Sequence, residues 1–529
     1  MSILQALVRT PLAAIEGFLG KLFPPQWNPM LNLGALGFFF YWVITVSGIY
    51  LFVFFDTGIH KAFESIEAIT YNQWYAGGVM RSLHRYASDG LIIVLLVHML
   101  REFGLGRYRF ARWFSWVTGV IAMVIIYLAG ISGYWLVWDK LAQYVAIVTT
   151  EWLDWLPIFG ESVARNFLAP DTLDSRFFTL MIFMHIALPL IGLGVLWVHL
   201  QRIRKPHINP PRGLAFGTFG SMLLLSLVYP AVSQGPADLA KVPGTVGLDW
   251  FYLPLFPLLE TLPGTVTWIG GACLLLILAT IPFLPPMRRP PPALVDLDNC
   301  NGCGRCDVDC PYHAIAMVTR NDGTPFSSMP SVNASLCVSC GICAGSCPTA
   351  TPFRRHSNLL PGIDMPDFTI ARLRDMVDEA ARPLTGHGRL MVFRCEHAGS
   401  ARRIDAPNVA AVSLRCVAQL PPSFIDYVLS RDLADGIVLA GCSENSCYNR
   451  FGIQWTEARL DRSRDPQLRR RVDRRRVKTM WWGESSGSAL GQELQRFSAT
   501  VSSLGEPTSP AMGHRPGLTE GVTGSAPDA

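Results

Sequence analysis

Long apolar runs separated by short polar loops fill residues 31–286, whereas 287–529 alternate short apolar stretches with charged and turn-forming ones. Six runs in the first half, 31–55, 77–101, 114–138, 176–201, 214–232 and 266–284, are each about long enough to cross a hydrocarbon core near 30 Å thick. The first 23 residues, MSILQALVRTPLAAIEGFLGKLF, are too weakly apolar for a span and show no cleavage site. They predict an amphipathic helix lying in the interface, not a signal peptide. The pattern predicts an all-α six-helix membrane bundle followed by soluble parts, one α+β and one α/β.

Hydrophobic residues make up 50% of the 529 and charged ones 16%, and the basic residues of the first half gather on one side. Arg101, Arg107, Arg109 and Arg112 follow the second run; Arg202, Arg204, Lys205 and Arg212 follow the fourth; Arg288 and Arg289 follow the sixth. The opposite loops carry Asp56, Glu64, Glu67, Glu151, Asp154, Glu161, Asp171 and Asp174. The excess of Lys and Arg marks the cytoplasmic side, so both termini are expected there, in a multi-pass protein of the inner (cytoplasmic) membrane. The net charge of +5 reflects this asymmetry and says little about nucleic acid; membrane lipid, and no nucleic acid, is the expected partner.

Two of the apolar runs each contain a histidine pair 14 residues apart, His84 with His98 and His185 with His199. Fourteen helical residues are just under four turns, so each pair lies on nearly one face, about 21 Å apart along the axis. Ionisable groups at membrane depth are functional candidates by default. One buried histidine is more often a core residue or a helix–helix hydrogen bond, but matched spacing on two helices suits two bis-histidine haems at two depths. Glycines repeat the interval, Gly34 with Gly48 and Gly119 with Gly133, and bare backbone lets a flat ring approach a helix. Arg81, Arg85 and Arg101 flank the histidines; Arg81 and Arg101 are the favoured partners for haem propionates, against a plain role as interfacial anchors.

The stretches NLGALGFFFYWVITVSGIYL, MRSLHRYASDGLIIVLLVHMLRE, WVTGVIAMVIIYLAGISGYWLVWD and TLDSRFFTLMIFMHIALPLIGLGVLWVHL carry these spacings. In ligand and glycine spacing, residues 30–286 resemble cytochrome b of the quinol-oxidising bc complexes. The resemblance implies that His84 and His185 hold one haem b on the outer side, and His98 and His199 a second towards the cytoplasm. The later loop LDWFYLPLFPLL resembles the family's PEWY segment at its outer quinol site. Leu248, Asp249, Trp250 and Phe251 stand at those four positions, so Asp249 is the candidate for quinone-site proton transfer, with a shorter reach than glutamate. Its plain alternative is an ordinary loop carboxylate.

After the proline-rich hinge PFLPPMRRPPPA come CNGCGRCDVDCP and CVSCGICAGSCP. These are two runs of C-x₂-C-x₂-C-x₃-C-P, the bacterial two-cluster ferredoxin pattern, in which the fourth cysteine of each run ligates the other cluster. One [4Fe–4S] cluster is then assigned to Cys300, Cys303, Cys306 and Cys347, and the other to Cys337, Cys340, Cys343 and Cys310.

From about 386 to 500 the strand-like runs RLMVFRC, NVAAVSLRC and DGIVLAGC alternate with helical stretches such as PPSFIDYVLSRDLA. Cys395, Cys416, Cys442 and Cys447 end or follow these runs, so a parallel sheet would bring them to one edge, where open α/β sheets build sites. On FRCEHAGSA, SLRC and LAGCSENSCYNRFG this part resembles the delta subunit of methyl-viologen-reducing hydrogenase, which implies a [2Fe–2S] cluster and a heterodisulfide reductase-type flavoprotein partner. An extra cysteine common in the first piece of that family is absent. Zinc and structural thiols are the other readings. Cys273, alone in the sixth run, is expected to be packing. The basic run RSRDPQLRRRVDRRRVK predicts a solvated helix face, or a docking face for an acidic partner or anionic headgroups.

The expected domains are an interfacial segment 1–30, a transmembrane cytochrome b domain 31–286, a ferredoxin domain 287–358, a linker 359–385, a hydrogenase-delta-like domain 386–500 and a disordered tail 501–529. The expected function is electron transfer between a cytoplasmic redox enzyme and the quinone pool, ordered from inside outward as [2Fe–2S], two [4Fe–4S], cytoplasmic haem and outer haem. The cofactors carry the electrons and the protein supplies spacing and potential. The partner would be a flavoprotein or a molybdenum or tungsten dehydrogenase; a homodimer is left open. Quinone reduction is the favoured direction. The alternatives are quinol oxidation driving electrons inward, and a non-conducting anchor of a soluble complex.

Overall fold

A computed structural model describes residues 3–59, 61–158, 162, 163, 168, 175–201, 207–242, 244–284, 290–354, 359–398, 408–443, 446–481 and 487–505. Arg202, Arg204, Lys205, Arg288, Arg289, Glu161, Asp171, Asp174 and the tail from 506 lie outside the described residues. The first half is helical: α1 Ile3–Leu22, α2 Leu33–Phe54, α3 Lys61–Tyr71, α4 Trp74–Gly104, α5 Trp113–Val137, α6 Lys140–Asp154, α7 Ser175–Leu200, α8 Arg212–Val228, α9 Phe256–Thr261 and α10 Gly264–Thr280. α2 packs along α4 and α5 along α7. Outward faces of α7, α8 and α10 expose Leu190, Trp197, Phe216, Ile269 and Leu276, as lipid-facing helices do.

Two spans differ from expectation. Among the described residues, six helices are long and apolar enough to cross a membrane; α1 is one of them, and α8 is a shorter apolar helix of 17 residues. α8 stops at Val228 because Pro230 follows, and a residue before proline is pushed out of the helical region. α1 has the length, but its contacts stay at one level of the bundle. The Gln5 amide donates to the Phe103 carbonyl (3.5 Å) and Tyr108 hydroxyl (3.3 Å), Arg9 abuts Gly104, and Glu16 pairs with Arg101 at 3.0 Å. Val8 joins Phe103, Tyr108 and Trp116 in one cluster and the Asn28 side chain donates to the Glu16 carbonyl at 3.0 Å, so the helix lies across the end of α4 and the start of α5, as an interfacial helix does.

The second half contains β1 Leu294–Val295, α11 Arg305–Asp309, β2 Ile315–Thr319, β3 Ser328–Val332, α12 Ile342–Ser346, β4 Ile363–Asp364, α13 Ile370–Ala381, β5 Leu390–Cys395, β6 Val409–Leu414, α14 Pro422–Ser430, β7 Gly436–Gly441, α15 Gly452–Leu460, β8 Val477–Trp481 and α16 Gly487–Ser503. β2 and β3 form an antiparallel hairpin. β6-β5-β7-β8 form a parallel sheet, covered by α16 on one face through Leu490, Leu494, Phe497 and Val501.

The segment 359–385 is folded instead of serving as a linker. β4 pairs with β1, and α13 buries Ile370, Leu373 and Val377 against the α/β sheet. One continuous core runs from Ala293 and Cys306 to Phe393, Leu414 and Val477, so the two soluble parts share an interior. The basic run is likewise not a solvated helix. It is irregular up to a short 3₁₀ turn; Arg470 and Arg475 stay exposed while other arginines pair with carboxylates and carbonyls of the fold. Arg464 pairs with Asp309 and lies 3.6 Å over the Trp455 ring, Arg469 and Arg471 each hold Asp426 at 2.7 Å, and buried Arg476 donates to the Asp435 carbonyl at 3.0 Å. Pro466 and the many carbonyls of this coil favour guanidinium donors over helix formation.

Candidate functional site

α4 and α7 face each other so that the His84 and His185 ring centres stand 6.2 Å apart. Two imidazole–metal bonds of about 2 Å each, with the ring radii added, need about 6 Å, so this pair fits one iron between its rings. The Nδ1 atom of His84 lies 3.0 Å from the Ile44 carbonyl and 3.2 Å from the Ser47 hydroxyl. His185 repeats this with the Ala129 carbonyl (3.0 Å) and Ser132 (3.2 Å), and His199 Nδ1 lies 3.0 Å from Thr118. Occupied Nδ1 positions leave Nε2 for a metal, the usual way a partner orients a ligating histidine. His98 and His199 are neighbours at the other depth.

Each predicted glycine faces an imidazole. A Cβ on Gly48 would sit 3.0 Å from His84 Cε1, on Gly133 2.9 Å from His185, on Gly119 3.3 Å from His199 and on Gly34 3.7 Å from His98. The glycines thus make room for the ligand rings themselves, which must lie against the α2 and α5 backbones to reach the carbonyls. The hydroxyls were missed at the sequence level, though a signal exists: Ser47, Thr118 and Ser132 each immediately precede one of these glycines, and Leu33 takes the fourth position.

Arg81 and Arg101 are both buried and both have protein partners. Arg81 donates to Thr70 (2.6 Å) and Ser233 (2.8 Å) and lies 3.6 Å from Glu67. Arg101 holds Glu16 at 3.0 Å and donates to the Ser446 hydroxyl at 2.7 Å. Asp249 is buried, accepts from the Tyr134 hydroxyl and pairs with Arg85 at 2.6 Å; Arg85 also holds Asp89 at 3.2 Å. The Tyr252 ring, packed where Gly130 has no side chain, anchors this loop, and its hydroxyl donates to the Ser88 carbonyl at 3.1 Å. Asp89 and Tyr134 went unnoticed at the sequence level, although a carboxylate inside an apolar helix is a signal in itself.

The eight ferredoxin cysteines gather around two cavities. One is lined by Cys310, Cys337, Cys340 and Cys343; the other by Cys300, Cys303, Cys306 and Cys347. The two groups are the interleaved sets that the repeated motif predicts. Gly304 and Gly341 precede the short α11 and α12 with φ of 72° and 76°, a left-handed conformation that glycine adopts without strain and that curls each loop around its cavity.

Cys395 ends β5, Cys416 follows β6 and Cys442 follows β7, so the parallel sheet brings three thiols to its carboxyl edge, where Cys447 joins them. Cys395 and Cys442 sulfurs are 3.9 Å apart, and two thiolates on one tetrahedral metal at about 2.3 Å stand nearly that far from each other. Cys416 and Cys447 both crowd Gly452, where a Cβ would lie 2.4 Å and 3.1 Å from their sulfurs. The four thus fall into two thiol pairs, a fit to a two-iron cluster. Among the described residues, no three or more such groups close on a single metal ion. Hydrogen bonds with Cys416 and Cys442 hold the Cys447 thiol well below its usual range, and that with Cys395 pushes Cys442 up.

The soluble half docks on the basic end of the bundle. Arg107 donates to the Ser446 carbonyl (3.0 Å) and Arg112 to the Tyr448 carbonyl (2.9 Å). Both guanidinium groups lie over the Tyr448 ring, at 5.2 Å and 4.3 Å, and His397 stacks on the same ring at 3.6 Å. Burial, with Arg112 and Arg107 nearby, lowers the His397 pKa to about 4, so this ring is neutral at pH 7. Arg112 also donates to the Tyr312 hydroxyl at 2.5 Å.

Residues 18–207 match the cytochrome b/b6/petB family, residues 299–351 a 4Fe-4S dicluster domain and residues 392–505 the delta subunit of methyl-viologen-reducing hydrogenase. The chain is similar to cytochrome b of Dictyostelium discoideum, 26% identical over 291 residues covering 50% of this chain and 73% of that protein. It is also similar to cytochrome b6 of Gracilaria tenuistipitata var. liui, 28% identical over 204 residues covering 38% and 93%. A solved chain titled "Hyperthermophilic respiratory Complex III" aligns with a TM-score of 0.40 at 19% identity, covering 48% of this chain and 74% of that one. The polypeptide joins a multi-pass cytochrome b segment to a 4Fe-4S dicluster domain and a hydrogenase delta-subunit domain, and is an electron-transfer oxidoreductase subunit of a membrane.

Proposed function

We propose that this chain carries electrons between a cytoplasmic redox enzyme and the quinone pool and reduces quinone. His84 with His185 and His98 with His199 would each hold one haem b. The eight ferredoxin cysteines would hold two [4Fe–4S] clusters in the interleaved sets above, and Cys395, Cys416, Cys442 and Cys447 one [2Fe–2S] cluster. These groups supply one-electron chemistry; the residues around them orient the ligands, exclude water and set the spacing. The observation that carries the reading is the facing of two histidine pairs at two depths in one bundle, with thiol sets joined to its basic end. The basic docking end also supports a cytoplasmic position for the iron–sulfur half, by the bias of Lys and Arg. The substrate chemistry belongs to a partner, a flavoprotein or a molybdenum or tungsten dehydrogenase.

A reduced-minus-oxidised optical spectrum with metal counts tests this directly. The expected result is two b-type haems and about ten non-haem irons per chain; purified protein without protohaem absorbance overturns it. Replacing His98 by alanine should abolish quinone-linked turnover while the assembly stays intact. Unchanged turnover would instead make the chain a passive anchor. The second reading, quinol oxidation with electrons moving inward, is favoured by buried Asp249 beside Arg85 and Tyr134, a carboxylate held where a quinol proton could be taken. Asp249→Asn slowing quinol oxidation in vesicles but not quinone reduction would support that direction.

A further inference from the structure

The contacts between the two halves bear on the order of the relay. Sequence order suggests that the C-terminal module is the outermost station, with the ferredoxin between it and the haem. We infer the reverse: the pocket of Cys395, Cys416, Cys442 and Cys447 lies between the ferredoxin cysteines and His98/His199, and electrons from the partner enter at the Cys300–Cys303 end. The inference rests on the reading that these residues hold redox groups.

Three sets of contacts carry it. First, the loop bearing Cys447 meets the membrane half. Arg101, one helical turn beyond His98, donates to Ser446; Arg107 and Arg112 bind the Ser446 and Tyr448 carbonyls and cover the Tyr448 ring. His397, two residues after Cys395, stacks on that same ring. Second, the pocket's opposite side abuts one ferredoxin set. Cys340 and Ile342 share a buried cluster with Cys416, Ala418, Phe451 and Trp455. At Gly345 an added Cβ would sit 2.0 Å from the Ala418 carbonyl, so α12 is pressed directly onto the loop after Cys416. Third, the remaining ferredoxin set reaches solvent at one end, where Cys303 is exposed and Cys300 half-buried; Cys306 and Cys347 are buried, as are Cys416 and Cys442. The order is therefore Cys300/303/306/347, then Cys310/337/340/343, then the C-terminal four, then His98/His199, then His84/His185. Each transfer moves one electron and makes or breaks no bond. A low-potential protein donor is oxidised and iron at the histidines is reduced. Among the described residues, the Arg112–Tyr312 link offers a competing bypass, joining the membrane half to the loop after Cys310.

The test uses the full chain in nanodiscs and reduced flavodoxin, a flavoprotein too bulky to bring its flavin to the histidines. Mixing is followed by stopped flow at the haem absorbance and by freeze-quench EPR of the iron–sulfur signals. In a Cys395→Ala/Cys442→Ala variant the two [4Fe–4S] signals should become reduced as in the wild type while haem reduction is lost. If that variant fails to load its [4Fe–4S] clusters or haem, Arg107→Gln keeps every proposed ligand and the Arg112–Tyr312 link and should slow haem reduction by roughly tenfold or more, again with normal cluster reduction; an unchanged rate overturns the order. Wild-type haem reduction in a variant lacking the C-terminal cluster overturns the order and assigns the Tyr312 route. Absence of haem from the wild type would instead overturn the function proposed above.

Discussion

At the residue scale, ligand geometry depends on small side chains next to large ones. A methyl group at Gly133 would stand 2.9 Å from the His185 ring and displace it from the Ala129 carbonyl. Gly133→Ala should therefore lose one haem of two, with the His98/His199 site still loaded, as read by haem count and low-temperature spectrum. Thr118→Ala removes only a hydroxyl 3.0 Å from His199 Nδ1, a hydrogen bond worth about 1 kcal/mol; haem should stay bound and the midpoint potential of one haem should shift. In the soluble half, Arg459 and Asp309 form a 2.6 Å ion pair with both side chains about 97% shielded from solvent. Removing one partner of a buried pair costs about 3–5 kcal/mol, and Arg464, also on Asp309, should hold Arg459→Ala near the lower end. Denaturant unfolding followed by cluster absorbance measures it.

At the scale of elements, the carboxyl edge of the parallel sheet is where the C-terminal thiols meet, and α15 starts against them. Gly452 opens that helix because Cys416 and Cys447 occupy the space of its missing side chain. Gly452→Ala should expel the C-terminal cluster, removing about two of about ten irons, while the [4Fe–4S] EPR signals persist. The α4–α7 pairing was legible beforehand, since a 14-residue spacing fixes which side chains share a helix face. The length of α8 was misjudged because hydropathy continues past Pro230 while the helix does not. The arginines of 462–478 misled for a different reason: clustered charge reads as solvated, yet their partners Asp309 and Asp426 lie far away in sequence.

At the scale of the whole molecule, the shared interior of the two soluble parts has a consequence for their independence. Tyr312 and Ala314 belong to the same core as Phe393 and Phe424. A fragment covering 290–505 should fold in water and bind about ten irons, whereas 290–358 alone, deprived of β4, α13 and the sheet, should aggregate or lose its clusters. Circular dichroism and iron content of the two fragments check this.

Most of the membrane-length apolar helices, the histidine spacing that lets α4 and α7 face at two depths and the doubled cysteine motif were legible in the sequence alone. Each depends on a local repeat, set by the rise of a helix or the reach of a short loop. Which thiol set faces the membrane, which carboxylate Arg85 binds and where the arginine-rich coil goes were decided only by the tertiary structure. Those contacts join residues more than a hundred positions apart, such as Arg112 with Tyr448 and Arg464 with Asp309, and no periodicity along the chain encodes them.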